Sequence, residues 1–232
     1  MKKKIFAIAL AASIAVLAIA GSSLAYFTDT EEYTNVFTAG NVEIQMTEAV
    51  VIDDGVGNLI KDSNATNRIV INDAAAQKDY GKLFPSQTIY KDTTIENIGS
   101  EDAYVGAIIT IRHNPYKSGV NISSVVTPAM IDGFITNLSA DATITYAPLE
   151  NGGYQIYMIF GDEIPEGGKY QLFDGIAIPE TWDNTEMANC QNLNIVVNAY
   201  ATQTQGFENA TEALTTAFAT KGWGNLPTTV LP

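Results

Sequence analysis

The chain has 232 residues and carries 12 basic against 26 acidic side chains, which gives a formal net charge of −14 at pH 7. A surface this acidic repels nucleic acid and anionic lipid, which excludes proteins that bind either one through a positive face. A single cysteine, Cys190, excludes an intrachain disulfide, so the hydrophobic core must stabilise the fold. We expect Cys190 to be a small buried apolar residue and not a nucleophile.

The first 25 residues have the order of a secretory signal peptide. Three lysines at positions 2–4 precede an apolar run over residues 5–20, and small residues follow up to Ala25. This order predicts a signal helix over residues 1–25 and cleavage between Ala25 and Tyr26. The alternative is an uncleaved anchor, but the run is shorter than the ~20 residues that a spanning helix needs. Contact with the membrane is therefore expected only through the uncleaved signal.

Cleavage makes the chain more acidic and leaves enough of it for one domain. Removing 25 of the 232 residues leaves 207, and without the three signal lysines 9 basic groups face 26 acidic ones, a net charge of −17. A chain of this length can bury a sizeable core. We divide it into an exposed N-terminal segment, residues 26–37, and one β domain, residues 38–232.

The junction after the cleavage site carries the most specific motif of the chain. Tyr26 and Phe27 are followed by a short acidic stretch, and the string F-T-A-G-N-V-E-I then runs from Phe37 into a strand. This junction resembles the TasA/camelysin family, bacterial secreted proteins that a signal peptidase of the SipW type processes. The resemblance implies a protein that is located outside the cell.

The next part of the chain has the alternation of a β protein. Within residues 35–51 the apolar side chains at positions 42, 44 and 46 alternate with polar ones at positions 43, 45 and 47, which predicts a half-buried strand. The turn at residues 53–58 has the acidic and glycine character of a calcium loop but not its spacing, so we expect no calcium there. A short strand is predicted at residues 68–71 and a helical turn at residues 73–76.

Two neighbouring antiparallel strands are predicted next, at residues 89–98 and 104–111, with a turn at residues 97–100 between them. The second strand is almost continuously apolar, as strands in a sandwich interior are. The order Pro-Ser-Gln, then a strand ending in Asn-Ile-Gly, then Ala-Tyr-Val is similar to the same family.

The middle of the chain predicts a helix, a hairpin and a strand. Thr127 and the proline after it have the residue types of a helix start, and apolar spacing continues the short helix to Leu138. Residues 142–160 alternate on both sides of an Asn-Gly-Gly turn, which is typical of a β-hairpin. A further strand is predicted at residues 169–178.

The last elements are a strand at residues 192–203 and a helix. Asn209 and Glu212 have the spacing of a capping box, and Gly222 ends the helix. Short strands separated by Gly, Pro and Asn turns predict a mainly β chain. We expect a single antiparallel β-sandwich of the jelly-roll type with two short helices, preceded by the signal helix.

Because camelysin is described as a metalloprotease, the resemblance raises the question of a zinc site. Such proteases need a His-Glu-x-x-His motif on a helix, whereas this chain has one histidine, His113, near a strand end. We therefore expect a protein that is no enzyme and uses no cofactor or metal. A Ser-His-Asp or Cys-His site would need the same histidine and lacks its flanking motif. No pattern singles out a carboxylate pair for glycoside hydrolysis.

The resemblance instead implies a structural protein. Members of the TasA group build extracellular fibres of the biofilm matrix, and the segment exposed by cleavage is lent as a strand to the next subunit. In this chain that donor strand is the segment of residues 26–37, and its apolar pegs are Tyr26, Phe27, Tyr33, Val36 and Phe37. Head-to-tail donation does not close and grows a filament. The implied partners are further copies of the chain and the SipW-type peptidase, and the implied location is the extracellular matrix or the cell surface.

Three alternatives stay open. In the first, the segment of residues 26–37 forms an edge strand of its own domain or stays unpaired. In the second, the protein is a camelysin-like cell-surface metalloprotease. In the third, it is a monomeric secreted module that binds carbohydrate or a protein partner through exposed aromatic residues such as Trp182 and Trp223.

Overall fold

The computed structural model describes residues 28–30, 41–71, 83–113, 121–190 and 192–231, with side chains from residue 41 onward. The described strands are β1 Thr28–Thr30, β2 Ile44–Ala49, β3 Val51–Asp53, β4 Leu59–Lys61, β5 Arg68–Val70, β6 Thr88–Tyr90, β7 Thr94–Asn97, β8 Ala103–His113, β9 Ile135–Thr136, β10 Ala142–Pro148, β11 Tyr154–Phe160, β12 Lys169–Gln171, β13 Gly175–Ala177 and β14 Leu193–Gln203. The described helices are α1 Ile131–Phe134, α2 Asn184–Asn189 and α3 Ala210–Ala217. The mainly β class is thus confirmed. The predicted signal helix and the helical turn at residues 73–76 lie outside the described residues.

The strands form three sheets. Sheet I has the order β1-β14-β8-β11-β10, sheet II the order β12-β7-β2-β5, and sheet III the order β3-β4-β6-β13-β9. All of these pairs are antiparallel except β4 with β6, which meet in parallel at Leu59 and Ile89. Within the described part of the chain, no helix is both long and apolar enough to cross a membrane.

Strand β8 forms the centre of the molecule because it is buried on both faces. Val105, Ala107 and Ile109 face a main core, whereas Tyr104 and Ile108 face a second cluster below α3. This two-sided burial explains the almost continuous apolar run of the sequence.

Gly106 lies on the α3 side of β8. A Cβ atom there would approach Trp223 Cη2 to 2.6 Å and Leu214 Cδ1 to 2.7 Å, so only glycine admits this packing.

The main core draws on all three sheets. Ile109 of sheet I, Ile95 of sheet II and Ile176 of sheet III belong to one buried cluster. Val42, Ile44 and Met46 also enter it, which confirms the predicted alternation of the first strand. Sheets that share a core across their inner faces are the arrangement on which a β-sandwich depends. The jelly-roll connection stays a prediction.

The predicted strand over residues 89–98 is wrong as a single element, because it divides into β6 in sheet III and β7 in sheet II. Between them the Asp92 carboxylate points inward, where it accepts a hydrogen bond from Ala49 N at 2.7 Å and one from Arg68 Nη1 at 2.8 Å. These bonds hold the chain at the crossing between the sheets. As a result β7 pairs with β2 and β12, not with β8, and the predicted adjacency of the two strands is also wrong.

Two further elements differ from their predictions. The strand over residues 169–178 divides into β12 and β13, since Leu172 and Phe173 turn into the core between them. The helix after Thr127 ends at Phe134 and does not reach Leu138, because Ile135–Thr136 leaves it to pair with β13.

Helix α2 was not predicted, so the described residues hold three α-helices and not two. It begins with a complete capping box. Asp183 accepts a hydrogen bond from Thr185 N at 2.6 Å, and Glu186 accepts one from Asp183 N at 2.9 Å. The string D-N-T-E has the residue types of that motif, so the sequence does contain a signal for this helix start.

The hairpin and the last strand and helix are confirmed. Seven residues of β10 pair with seven of β11, from Ala142 with Phe160 to Pro148 with Tyr154. Asn209 caps α3 by accepting a hydrogen bond from Glu212 N at 2.9 Å. The glycine that follows this helical region adopts a left-handed φ of 102°.

Candidate functional site

The candidate site is the outer edge of β14 in sheet I. All eleven residues of β14 pair with β8 on one side. On the other side, of the residues that the structure describes, only Thr28–Thr30 pair with it, at Thr202, Ala201 and Tyr200. Residues 193–199 therefore present backbone groups that no described strand takes up, and such an edge is a template for a further strand.

The apolar side chains along this edge become more exposed between Ala199 and Val197. Ala199 and Ala201 are fully buried, whereas Leu193, Ile195 and Val197 are only partly buried although they pack against the same core. They lie on the core face of β14, as their alternation predicted. A strand added beside them would shield these three side chains and pair the open backbone, and this combination is the basis of recognition by strand addition.

The predicted cleavage site and the pegs lie outside the described residues, so Ala25 and all five pegs stay predictions: Tyr26, Phe27, Tyr33, Val36 and Phe37. The described part of the segment, Thr28–Thr30, lies on the β14 edge of its own chain. The pairing is antiparallel and three residues long.

The groups considered for catalysis, His113 and Cys190, are both buried. His113 is the last residue of β8 and is buried opposite Leu193. Burial, assisted by the nearby Glu186 charge, raises the pKa of the Cys190 thiol to about 12, which makes it a poor nucleophile at neutral pH. Among the described residues no group of three or more His, Cys, Asp or Glu side chains is placed to hold a metal ion.

Trp182 and Trp223 are not the exposed binding platforms that the sequence suggested. Trp182 is 6% exposed and stacks on Phe134 at 6.0 Å between ring centroids. Trp223 is fully buried and meets Tyr157 and Tyr200 edge to face at 5.8 and 5.4 Å. Both are core residues, which removes the observation on which the binding-module alternative depended.

The acidic turn between β3 and β4 uses its carboxylate to hold its own backbone. Asp54 accepts hydrogen bonds from Val56 N at 2.9 Å, Asn58 N at 3.0 Å and Asn58 Nδ2 at 2.8 Å. These hydrogen bonds hold the pKa of Asp54 below its usual value, and the bond from Val56 has the largest effect. The acidic and amide side chains of this turn thus stabilise the conformation of the turn.

Comparison with known proteins finds a family similarity in the N-terminal third of the chain. Residues 1–75 match the family model described as camelysin metallo-endopeptidase. No curated protein and no solved structure matches the chain. The metal that this description implies does not fit the residues present, because the full sequence supplies one histidine and the described residues form no ligand cluster around it. Over residues 1–75 this chain is therefore similar to the camelysin family, and the resemblance predicted from its sequence is confirmed.

Proposed function

We propose that the protein is a secreted structural subunit that polymerises head to tail in the extracellular matrix. In this polymer the N-terminal segment of one mature copy, residues 26–37, lies along the β14 edge of the next copy. The observation that carries the proposal is that, among the described strands, none pairs with residues 193–199 on this side, directly beyond the three residues that β1 covers. The domain then acts as a jelly-roll sandwich whose missing edge strand a neighbour supplies.

The register of β1 indicates how the longer strand would lie. Extending the pairing of Thr28 with Thr202 along β14 sets Tyr33 opposite Val197 and Phe37 opposite Leu193. Both aromatic residues then fall on the core face, over aliphatic side chains that are now partly exposed. Burying one such aromatic side chain stabilises the contact by about 1.5–3 kcal/mol, and the backbone pairing adds to it.

The short intrachain pairing suits an exchange between copies. Among the described residues, the three of β1 pair with the edge within one chain, whereas a neighbour's segment would pair along its full length. Exchange of an identical element between protomers keeps the contacts of the element and adds those of the longer strand. Before cleavage after Ala25 by the SipW-type peptidase, the segment is tethered to the signal in the membrane, and assembly waits for export.

The test is electron microscopy of the mature protein with and without residues 26–37, together with far-UV circular dichroism. We expect filaments from the mature protein, and a folded β domain without filaments after truncation. Phe37→Asp should act in the same way, since it removes about 3 kcal/mol, roughly a hundredfold in subunit affinity. Thr38→Asp adds the same charge one residue beyond the segment and is the matched control.

A mixing experiment separates head-to-tail growth from other modes of association. A Phe37→Asp subunit keeps its acceptor edge, so it should bind the end of a growing filament and stop it. We expect shorter wild-type filaments when a small fraction of this variant is added. Polymerisation of the truncated protein at the wild-type rate contradicts the proposal, and so does loss of the β signal on truncation.

A metallo-endopeptidase is the second candidate, and the description of the matched family favours it. Metal analysis of protein purified without added zinc, and a casein assay with and without a chelator, decide this point. Our proposal predicts well under one zinc per chain and no chelator-sensitive proteolysis. Stoichiometric zinc together with proteolysis that His113→Ala abolishes would replace the structural proposal.

A further inference from the structure

The opposite edge of sheet I, formed by β10, has an unusual composition for an edge strand. Its seven residues, A-T-I-T-Y-A-P, include no charge, although the chain carries a net charge of −14. Edge strands of soluble proteins usually carry charges or a covering element that blocks pairing with another chain. Pro148 blocks pairing only at the last position of β10, so the uncharged, β-branched and aromatic residues 142–147 still need such a cover.

The C-terminal tail, residues 226–231, provides this cover. Leu226 packs into the cluster on the α3 side of sheet I, whereas Leu231 packs against the main core on the other side. The tail thus passes around the β10 edge from one face of the sheet to the other. On the way Thr229 O accepts a hydrogen bond from Tyr146 N at 2.9 Å, and Val230 forms an antiparallel bridge with Thr145.

The tail makes few buried contacts along its length. Thr228 and Thr229 are exposed, Val230 is 64% exposed, and the leucines at the two ends are only partly buried. A segment with so few buried apolar contacts opens at a small fraction of the free energy of global unfolding. Release of the tail exposes β10 without disturbing β11, which stays paired with β10 on one side and with β8 on the other.

We propose that β10 is a second strand-pairing surface, that the tail masks it, and that its other occupant is a second copy of this chain. Two β10 strands can pair antiparallel about a two-fold axis, which gives a closed, isologous contact. Because β10 carries no charge, two acidic copies can pair along this edge without placing like charges directly opposite each other. This contact is lateral, at the edge opposite β14, so it stands whether or not the β14 edge accepts a neighbour's strand.

The test uses a variant that loosens the tail and a control that does not. Leu231→Asp puts a charge where the tail packs against the core, whereas Thr228→Asp adds the same charge to the same tail at an exposed position. At low protein concentration we expect hydrogen exchange at the Tyr146 amide to rise at least tenfold in Leu231→Asp only. At higher concentration the same variant should form a dimer by sedimentation velocity, with the Tyr146 amide protected again.

A second variant without residues 227–232 releases the edge by another route and should behave like Leu231→Asp. Wild-type exchange at Tyr146 in both variants would show that the tail does not mask β10. Fast exchange together with an unchanged mass at all concentrations would show that the freed edge does not pair with a second copy. Either result overturns the inference, and neither bears on the filament test at the β14 edge.

Discussion

Asp92→Asn is the substitution whose consequence follows most directly from the structure. The Asp92 carboxylate is 4% exposed and lies 2.8 Å from Arg68 Nη1, and it also accepts hydrogen bonds from Ala49 N at 2.7 Å and Tyr90 Oη at 3.2 Å. Arg68 in turn donates to Thr47 O at 3.1 Å. The pair thus ties edge strand β5 to β2 and fixes the chain where it crosses between sheets II and III.

The size of the stability loss depends on how well the charge of Arg68 is still compensated after the substitution. An asparagine keeps one acceptor oxygen but turns an amide donor towards Arg68, so one charge-assisted bond becomes a contact between two donors. Breaking a fully buried ion pair costs about 3–5 kcal/mol. Arg68 is 31% exposed and water can solvate it, so we expect a loss of about 2–3 kcal/mol in the free energy of unfolding. In a domain of this size that loss lowers Tm by about 5–10 °C.

The pH dependence gives an independent check. Burial alone would raise the pKa of Asp92, but hydrogen bonds from Arg68 and Ala49 outweigh it and hold the pKa below its usual value. The contribution to stability is therefore complete above the unfolded-state pKa of about 3.9 and is lost as the pH falls through the lower folded-state pKa. The difference between wild type and Asp92→Asn should be largest near pH 7 and should shrink below about pH 4.

Urea denaturation followed by tryptophan fluorescence measures both effects, because the two tryptophans are buried in the folded state. Asp102→Asn removes the same charge from an exposed position and is the matched control. A change below about 0.5 kcal/mol at pH 7, or an equal difference at pH 7 and pH 3, would show that the pair does not carry the stability assigned to it.

Three shorter predictions concern packing, reactivity and processing. Gly106→Ala should lower the free energy of unfolding by about 1–3 kcal/mol in urea, because the added Cβ meets Trp223 and Leu214 at 2.6 and 2.7 Å. Cys190, with a pKa raised to about 12, should not react with a disulfide reagent at pH 8 in the folded protein and should react at once in urea. N-terminal sequencing of the secreted protein should begin at Tyr26 with YFTDT, and a start beyond residue 35 would remove the proposed donor strand.

The elements with a strong two-residue period could be predicted from the sequence. In β14, Leu193, Ile195 and Val197 occupy every second position, and the structure places them on one face as expected. The β10–β11 hairpin was equally clear because alternation and turn residues agree. In these cases the local pattern and the tertiary packing demand the same conformation.

The elements that were missed depend on contacts between distant parts of the chain. Nothing local to Asp92 indicates that a strand must break there, since Arg68, its partner, lies 24 residues earlier. The open edge at β14 has the same origin, because it is a relation between residues 28–30 and a strand that begins at Leu193. The junction motif could therefore indicate the family and the proposed donor segment, but not the edge that we propose as its acceptor.

In sheet I a central strand is paired on both sides, whereas residues 28–30 and residues 226–231 cover the two edges, and this contrast predicts the order in which its hydrogen bonds open. Strand β8 pairs on both sides and is buried on both faces, so its amides should exchange with solvent only on global unfolding. The Tyr146 amide depends on the tail and should exchange orders of magnitude faster, through local opening. Native-state hydrogen exchange followed by NMR measures both in one experiment. Equal protection at Ile109 and Tyr146 would mean that edge and centre open together, and strand exchange at either edge would then require unfolding of the whole domain.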